Sequence, residues 1–557
     1  MSEPLQHRDR LQQRLSSLKA ERSSWVEHWQ ELSSYLLPRS GRFVQSDRNR
    51  GERSRYNKIY DNTGTRAVRV LGAGMQAGMT SPARPWFALK AADKELNKSE
   101  PVRRWLSTVT QLLRDVFARS NTYRALHAGY EELGVFGTTA KLMAPDFDAI
   151  VHHTSLTAGE FCIATNGKGV VDTLYRECDK TVYELVSEFG LEACSTTVRN
   201  LYERGALDAW IPIVHAIEPR TARDPSIPGP RNMAWRSCYY EAGAERGRYL
   251  RDSGFKRFPG LVSRWLVTPG DIYGTSPAMD ALGDVKQLQH QQLRKGQAID
   301  YQTKPPLQAP TTLRNSMTDM VPGGITFADS ASPSGGIKSI WEVRLDLQHL
   351  LLDIQDVRER INAAFFADLF LMLSNASDTT QRTAAEIAER HEEKLLMLGP
   401  VTERQHNEEL QPMVEGAFDL LLEAGVLPPP PPDLAGHELQ VEYTGLLAQA
   451  QRAVGINSID RFIGSLGVVA QLKPGALDKF DEDEYVDVVS DMLGVDPALI
   501  VADDKVQLIR QQRAQQQAAL QQSAMAQQAA DTMQKLGATP TTGDNAAASA
   551  VQALTGY

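Results

Sequence analysis

Apolar residues at Leu11, Leu15, Leu18, Trp25, Trp29, Leu32 and Leu36 recur in steps of three and four, and Pro38 closes the run. The spacing predicts a long amphipathic helix whose stripe only Arg22 interrupts. Ser40 to Tyr56 is basic, and Gly64 to Pro85 surrounds a helix-compatible middle with glycines and prolines. A second helical block is predicted from about Glu100 to Leu133. Between Gly159 and Glu177, GEFCIATNGKGVVDTLYRE predicts two strands joined by a turn at Asn166 to Gly169. Thr181 and Glu184 then form a capping box that opens a helix, with Gly190 as its C-cap. From Trp210 to Val267, short β-branched and aromatic runs separated by Gly and Pro predict sheet.

The centre of the chain changes period. Ala278 to Tyr301 predicts a mostly polar helix about 36 Å long, ending at Lys304-Pro305-Pro306. A Gly, Pro, Ser and Thr-rich insert follows to Trp341. Leu347, Leu350, Ile354, Val357, Ile361 and Ala364 then step by three and four as a second, strongly amphipathic helix. Next comes the polar stretch SNASDTTQ, from Ser374 to Gln381. A capping box at Thr383 and Glu386 opens a long helical region through Glu423 that contains Pro400 and Pro412. Pro428 to Pro432 make a stiff spacer. Beyond it, Asp478 to Asp504 is acidic, and Gln507 to Gln534 is a Gln/Ala stretch that either packs on copies of itself or frays. The residues from Gly537 to Tyr557 are expected to lack fixed structure. The fold class is α+β, mainly helical.

With 557 residues, 42% hydrophobic and 23% charged, the chain can bury a core and suits three or four folding units. A net charge of −9 argues against a protein that grips nucleic acid tightly, because phosphate affinity comes from Lys and Arg displacing counterions. Cys162, Cys178, Cys194 and Cys238 form no C-x-x-C pair or disulfide framework, so folding in a reducing compartment is expected. The first two dozen residues lack a secretory apolar core. The most apolar run, Ala363 to Leu373, is far shorter than the roughly 20 residues that cross a bilayer, and Asp368 interrupts it, so no membrane span is expected.

Motifs for chemistry are weak. Gly134 to Lys141 has the second Gly and the Lys misplaced for a phosphate loop. His152 and His153 on a strand would point to opposite faces and could not share a metal. Asp481 to Glu484 with Asp487 lacks the glycine and terminal Glu of a calcium loop and suits the start of a helix. No G-x-S-x-G elbow or H-E-x-x-H pair is present. The expectation is a non-enzyme with no cofactor and no metal.

The order from Ala278 to Glu423, together with GMTSPARPWFAL (Gly78 to Leu89), GEFCIATNGKGVVDTLYRE and RTAAEIAERHEEKLLMLGP (Arg382 to Pro400), resembles the head-tail connector, or portal, proteins of short-tailed bacteriophages. The resemblance implies a dodecameric ring at one capsid vertex, a conduit for packaging and ejection of double-stranded DNA. It divides the chain into a wing (1–277), a first stem helix (278–301), a clip (302–342), a second stem helix (343–373), a tunnel loop (374–381), the wing's long helix (382–433), a helical crown (434–536) and a disordered tail (537–557). The tunnel-loop residues implied are Ser374, Asn375, Ser377, Asp378, Thr379, Thr380 and Gln381, with Arg382 beside them. The clip, with Lys304, Arg314, Asp319 and Lys338, would meet the terminase large subunit and then the tail adaptor. Major capsid and scaffolding proteins are further implied partners, and the virion the location, with host cytoplasm during assembly.

A conduit must let DNA slide, so phosphate contacts should be few. Arg344 to Leu373 carries five acidic residues against three Arg, and twelve whole chains at −9 each would together carry about −108. Lys286, Arg294 and Lys295 remain candidates for touching the DNA backbone, each with the competing reading of a solvated or intersubunit salt-bridging residue. Two rival functions are a packaging ATPase or nuclease, and a capsid-associated or scaffolding-like interaction protein without a channel.

Overall fold

In a computed structural model, the structure describes residues 3–43, 51, 53–224, 226–244, 248–303, 307–308, 338–339, 348–375, 396–449, 462–469, 473, 475, 480–493, 501 and 503–537. The chain is mainly helical α+β and forms two compact units. The larger draws on Met1–Lys90, Leu106–Pro429 and Leu439–Phe480, and the smaller on Ala91–Trp105, Pro430–Glu438 and Asp481–Tyr557.

In the larger unit, the first helix, α1 (Glu3–Leu36), follows the predicted stripe, and Leu11, Leu15, Leu18, Trp29, Leu32 and Leu36 are all buried. Arg22 is buried within that stripe, where its guanidinium donates to the carbonyls of Gly159 and Phe161. It therefore extends the buried face as a hydrogen-bonded cation. α1 covers one face of a five-stranded antiparallel sheet, β4 (Phe161–Thr165), β5 (Val171–Thr181), β6 (Trp210–Pro219), β7 (Trp235–Glu241) and β8 (Arg251–Phe255), in that order. Leu11, Leu15 and Leu18 meet Tyr175, Val214, Ala216 and Tyr240, each aliphatic burial contributing about 1.5–3 kcal/mol. The opposite face carries α6 (Val182–Phe189) and α7 (Thr196–Glu203) through Val182, Leu185, Val198 and Ile213. The predicted hairpin is β4–β5, and the capping box at Thr181 and Glu184 is formed, with Gly190 at φ +81° ending α6.

A second antiparallel sheet has the order β3 (Ile150–Leu156), β2 (Thr138–Asp146), β9 (Gly260–Arg264). After the short helix α3 (Lys94–Lys98), the predicted helical block breaks in two, α4 (Glu100–Arg119) and α5 (Thr122–Phe136), because Ser120 and Asn121 turn their polar groups onto Thr122 and onto the backbone of β3. Trp29 donates from Nε1 to the Phe136 carbonyl at 2.9 Å, fixing α1 against the end of α5. β1 (Phe87–Ala91) pairs with β12 (Leu439–Tyr443), after the proline run.

The helix α2 (Thr63–Met79) precedes this core, and three central helices complete it: α8 (Pro277–Thr303), α9 (Gln348–Ala364) and α10 (Ala367–Asn375). The one stem helix expected over 343–373 is thus two. The break lies at Phe365 and Phe366, where Phe366 has φ +54°, a left-handed conformation unusual for an aromatic residue. Burial of Phe365, Leu369 and Phe370 re-aims the chain without disturbing the apolar count, so periodicity gave no warning. Residues 396–405 are helical, lead through a π-helical stretch (His406–Leu410) into the helix Gln411–Glu423, and so match the predicted long helix where it is described. The capping box at Thr383 and Glu386 lies outside the described residues.

In the smaller unit, the acidic segment forms the helix Glu482–Leu493, and the Gln/Ala stretch lies in the helix Asp503–Gly537. Arg510 pairs there with Glu482 and Asp483, and Lys505 with Glu100. Among the described residues, no helix is long and apolar enough to cross a membrane.

Candidate functional site

α8 and α9 run antiparallel. Arg360 donates to Asp284 at 3.2 Å and Gln291 hydrogen-bonds Asp353, two pairs with the same register. Val285 and Leu288 are buried against Ile354, Val357 and Ile361, the central positions of the stripe predicted for the second helix. Past the ends of the pair, β10 (Leu307–Gln308) pairs antiparallel with β11 (Lys338–Ser339), Gln308 opposite Lys338. The insert between the helices therefore leaves and returns on adjacent strands, placing its described base at the far end of the helix pair.

One buried carboxylate ties this pair to the rest of the unit. Asp61, 7% exposed, precedes α2 and accepts from Thr63 N at 2.8 Å, Thr63 Oγ1 at 2.5 Å, Gln292 Nε2 at 2.8 Å and Arg358 Nη2 at 2.6 Å. Its backbone exchanges two hydrogen bonds with the Gln289 amide. Burial raises the carboxyl pKa, but the hydrogen bonds of Thr63 and Arg358 and the Arg358 charge outweigh it, leaving the group below its usual range. A loop before α2, α8 and α9 thus meet at a single side chain. No sequence motif marks Asp61, whose helix partners Gln289, Gln292 and Arg358 all lie more than 220 residues away; the one local signal is the Asp61 to Thr63 spacing of a side-chain turn.

α10 is set by a close approach. A methyl group on Gly74 of α2 would overlap the Phe370 side chain, so α2 and α10 touch where only glycine fits. Ser374 and Asn375 close α10, so the loop expected from Ser374 begins no earlier than residue 376. Ser377, Asp378, Thr379, Thr380, Gln381 and Arg382 lie outside the described residues, as do Lys304, Arg314 and Asp319; Lys338 stands in β11.

The candidate cations divide. Lys286 is half-exposed and pairs with Glu31 of α1 at 2.6 Å, an ion pair that raises its pKa. Arg294 is exposed and bonds Gln297 at 3.3 Å within its own helix. Lys295 has no hydrogen-bond or ion-pair partner among the described residues. On α9, Asp356 pairs with Arg360, and Glu359 accepts from Gln355. The exposed surface of the pair is therefore charge-balanced, with few free cations.

The misplaced phosphate-loop motif resolves into core. Gly134 lies in α5, Gly137 caps it at φ +71°, and Lys141 is a buried residue of β2. Lys141 pairs with Glu409, both side chains 1% exposed, and Glu409 also accepts from Ser263 at 2.7 Å. The neighbouring Glu408 receives Arg264 and Arg404. Both glutamates belong to the π-helical stretch, a rare geometry that aims consecutive carboxylates at β2 and β9. His152 is exposed and His153 buried, on opposite faces as their spacing requires. Burial, and next to it Lys141, lower the His153 pKa to about 3. Among the described residues no group of His, Cys, Asp and Glu could hold a metal.

A family model for the bacteriophage head to tail connecting protein matches residues 8–501. The chain is 58% identical over 544 residues to the probable portal protein of Bordetella phage BPP-1, covering 98% of each chain. It is 42% identical over 540 residues to the portal protein of Salmonella phage epsilon15, covering 97% of each. Among solved structures, a chain in the neck of an empty gene transfer agent particle aligns with TM-score 0.36 and 12% identity, over 82% of this chain and 96% of that one.

Proposed function

The chain belongs to the bacteriophage head to tail connecting proteins and is a phage portal protein, and on that premise we propose that twelve copies close into a ring at one capsid vertex. DNA passes through the ring inward during packaging and outward during ejection. Residues 278–301 and 343–375 are the stem, 302–342 the clip that docks the terminase large subunit and later the tail adaptor, and 376–381 the tunnel loop. Residues 1–277 and 382–433 build the wing, which contacts major capsid and scaffolding proteins, and 434–536 the crown. Assembly takes place in the host cytoplasm, and the finished ring stays in the virion.

The observation that carries this reading is identity to two phage portal proteins over nearly the whole chain. The helix pair supports it: an antiparallel α8 and α9 with a two-stranded base at the far end is a rod that carries a docking element away from the wing. Its paired charges suit a wall along which DNA slides, since unpaired Lys and Arg would add phosphate affinity and friction. Of the candidate cations, Lys295 and Arg294 are available to a passing backbone, whereas Lys286 is committed to Glu31. A structural role agrees with the names of the relatives. Gold labelling of a tagged chain on intact virions tests the reading: label at a single vertex supports it, and label over the whole shell returns the scaffolding-like alternative.

A further inference from the structure

The tip of the β2–β3 hairpin presents the most exposed large apolar side chain among the described residues. Phe147 is 109% exposed relative to its reference, fully in water. The turn around it is held firmly. Asp146 pairs with Ile150 across the ladder, and the Asp146 carboxylate accepts from Ala149 N at 2.9 Å. Ile150 sits at φ +67°, a left-handed conformation that crowds a β-branched side chain against its own backbone. Strain of this kind persists where the surroundings enforce it, and it clusters at functional segments. Here it holds a benzyl group in water, which gains the isolated chain nothing.

The same unit carries a hollow of matching chemistry. Beside the 227–232 loop lies an open hollow of about 590 Å³ whose lining includes Ile227, Pro228, Pro230, Arg231, Arg251 and Asp252. Ile227 is 57% exposed, so the apolar part of the lining is uncovered. Arg231 is exposed and has no partner among the described residues. Asp148 stands next to Phe147 at the tip, and of the charged groups around the hollow Asp252 is paired with Arg236 and Arg251 with Glu188, so Arg231 is the guanidinium left open to an acidic partner beside an exposed aromatic. The Phe147 knob and the hollow occupy different parts of one chain, which makes their contact head-to-tail, and contacts of that type close into rings. Nucleic acid fits the knob poorly, because its phosphates would meet the carboxylates of Asp146 and Asp148.

We propose that Phe147 of each subunit inserts into the 227–232 hollow of its neighbour, with Asp148 against Arg231, an inference that rests on the ring assembly proposed above. The test is oxidative cross-linking of Phe147→Cys/Ile227→Cys protein, with each single variant as background, beside electron microscopy of Phe147→Ser and of Asp148→Arg, Arg231→Asp and their combination. The expected result is a ladder of covalent oligomers reaching the closed ring only in the double-cysteine protein. Phe147→Ser should raise the subunit concentration at half assembly by about tenfold or more, and the combined charge swap should recover assembly that each single reversal weakens. Because Phe147 is fully exposed, its replacement leaves the subunit folded, which circular dichroism checks. Wild-type rings without cross-links, with Phe147→Ser assembling normally, would overturn this contact and leave the ring standing. In that case, loss of capsid incorporation alone would assign the knob to a capsid protein instead. Wild-type protein that forms no closed ring would overturn the premise and the contact with it.

Discussion

Replacing Asp61 by asparagine isolates the node that joins α2, α8 and α9. The carboxylate receives five side-chain or backbone donations: two from Thr63, one from Gln292 and two from Arg358. An asparagine keeps one acceptor oxygen and turns the other into a donor, so it satisfies either the Thr63 pair or the Gln292 and Arg358 set, but not both. Hydrogen bonds to a charged group contribute about 1.5–3 kcal/mol and neutral ones about 1. The Arg358 side chain is 46% exposed, so water takes over part of its loss, and a net cost of about 2 kcal/mol is expected. Spread over the large unfolding entropy of a unit this size, that corresponds to a fall in Tm of about 2 °C, read by calorimetry on the transition of the larger unit. The pH dependence adds a second check. The folded carboxyl lies below its ordinary value of 3.8, so its stabilisation is fully present above that value and is lost as pH falls through the folded pKa. The gap between Asp61→Asn and wild type should therefore be wide at pH 7, begin to narrow below about pH 3.8 and close below the folded pKa, followed as urea midpoints. An unchanged midpoint at pH 7, or a gap equally wide at pH 3, would refute the reasoning.

Lys141→Met leaves Glu409 buried without its cation and should cost about 3–5 kcal/mol, whereas Lys141→Met with Glu409→Leu should recover most of that in chemical denaturation. Deleting Asn375 to Thr380 should leave rings intact in micrographs and impair DNA packaging or retention in a packaging assay; loss of ring assembly would contradict the loop assignment. Charge reversal between Lys304 and Lys338 should weaken terminase or tail docking in a pull-down with the subunit fold unchanged by circular dichroism. Docking at wild-type strength would remove the clip assignment.

The sequence pattern exposed what short-range physics governs. The α1 stripe, the β4–β5 hairpin, the Thr181 capping box and α8 all follow from periodicity, turn chemistry and capping within a few residues. What it hid depends on tertiary partners. Arg22 read as a break because a cation interrupts an apolar stripe, yet carbonyls of residues 159 and 161 make it part of the buried face. The break at Phe365 and Phe366 was invisible because apolar residues continue across it; the packing of Phe370 onto Gly74 sets the new direction. Asp61 and Glu409 were unmarked because their partners are distant in sequence, and a π-helical stretch has no local signature comparable to a cap. Of the candidate site, the helix pair and its polar balance were legible, and the segments 309–337 and 376–395 remain assigned by resemblance.

The central claim is a closed ring with a channel. Electron microscopy with class averaging of the purified chain, paired with native mass spectrometry, tests it most directly. The account expects closed rings whose central hole admits duplex DNA and whose mass is near twelve subunits. Shells, filaments or a stable compact dimer would contradict it.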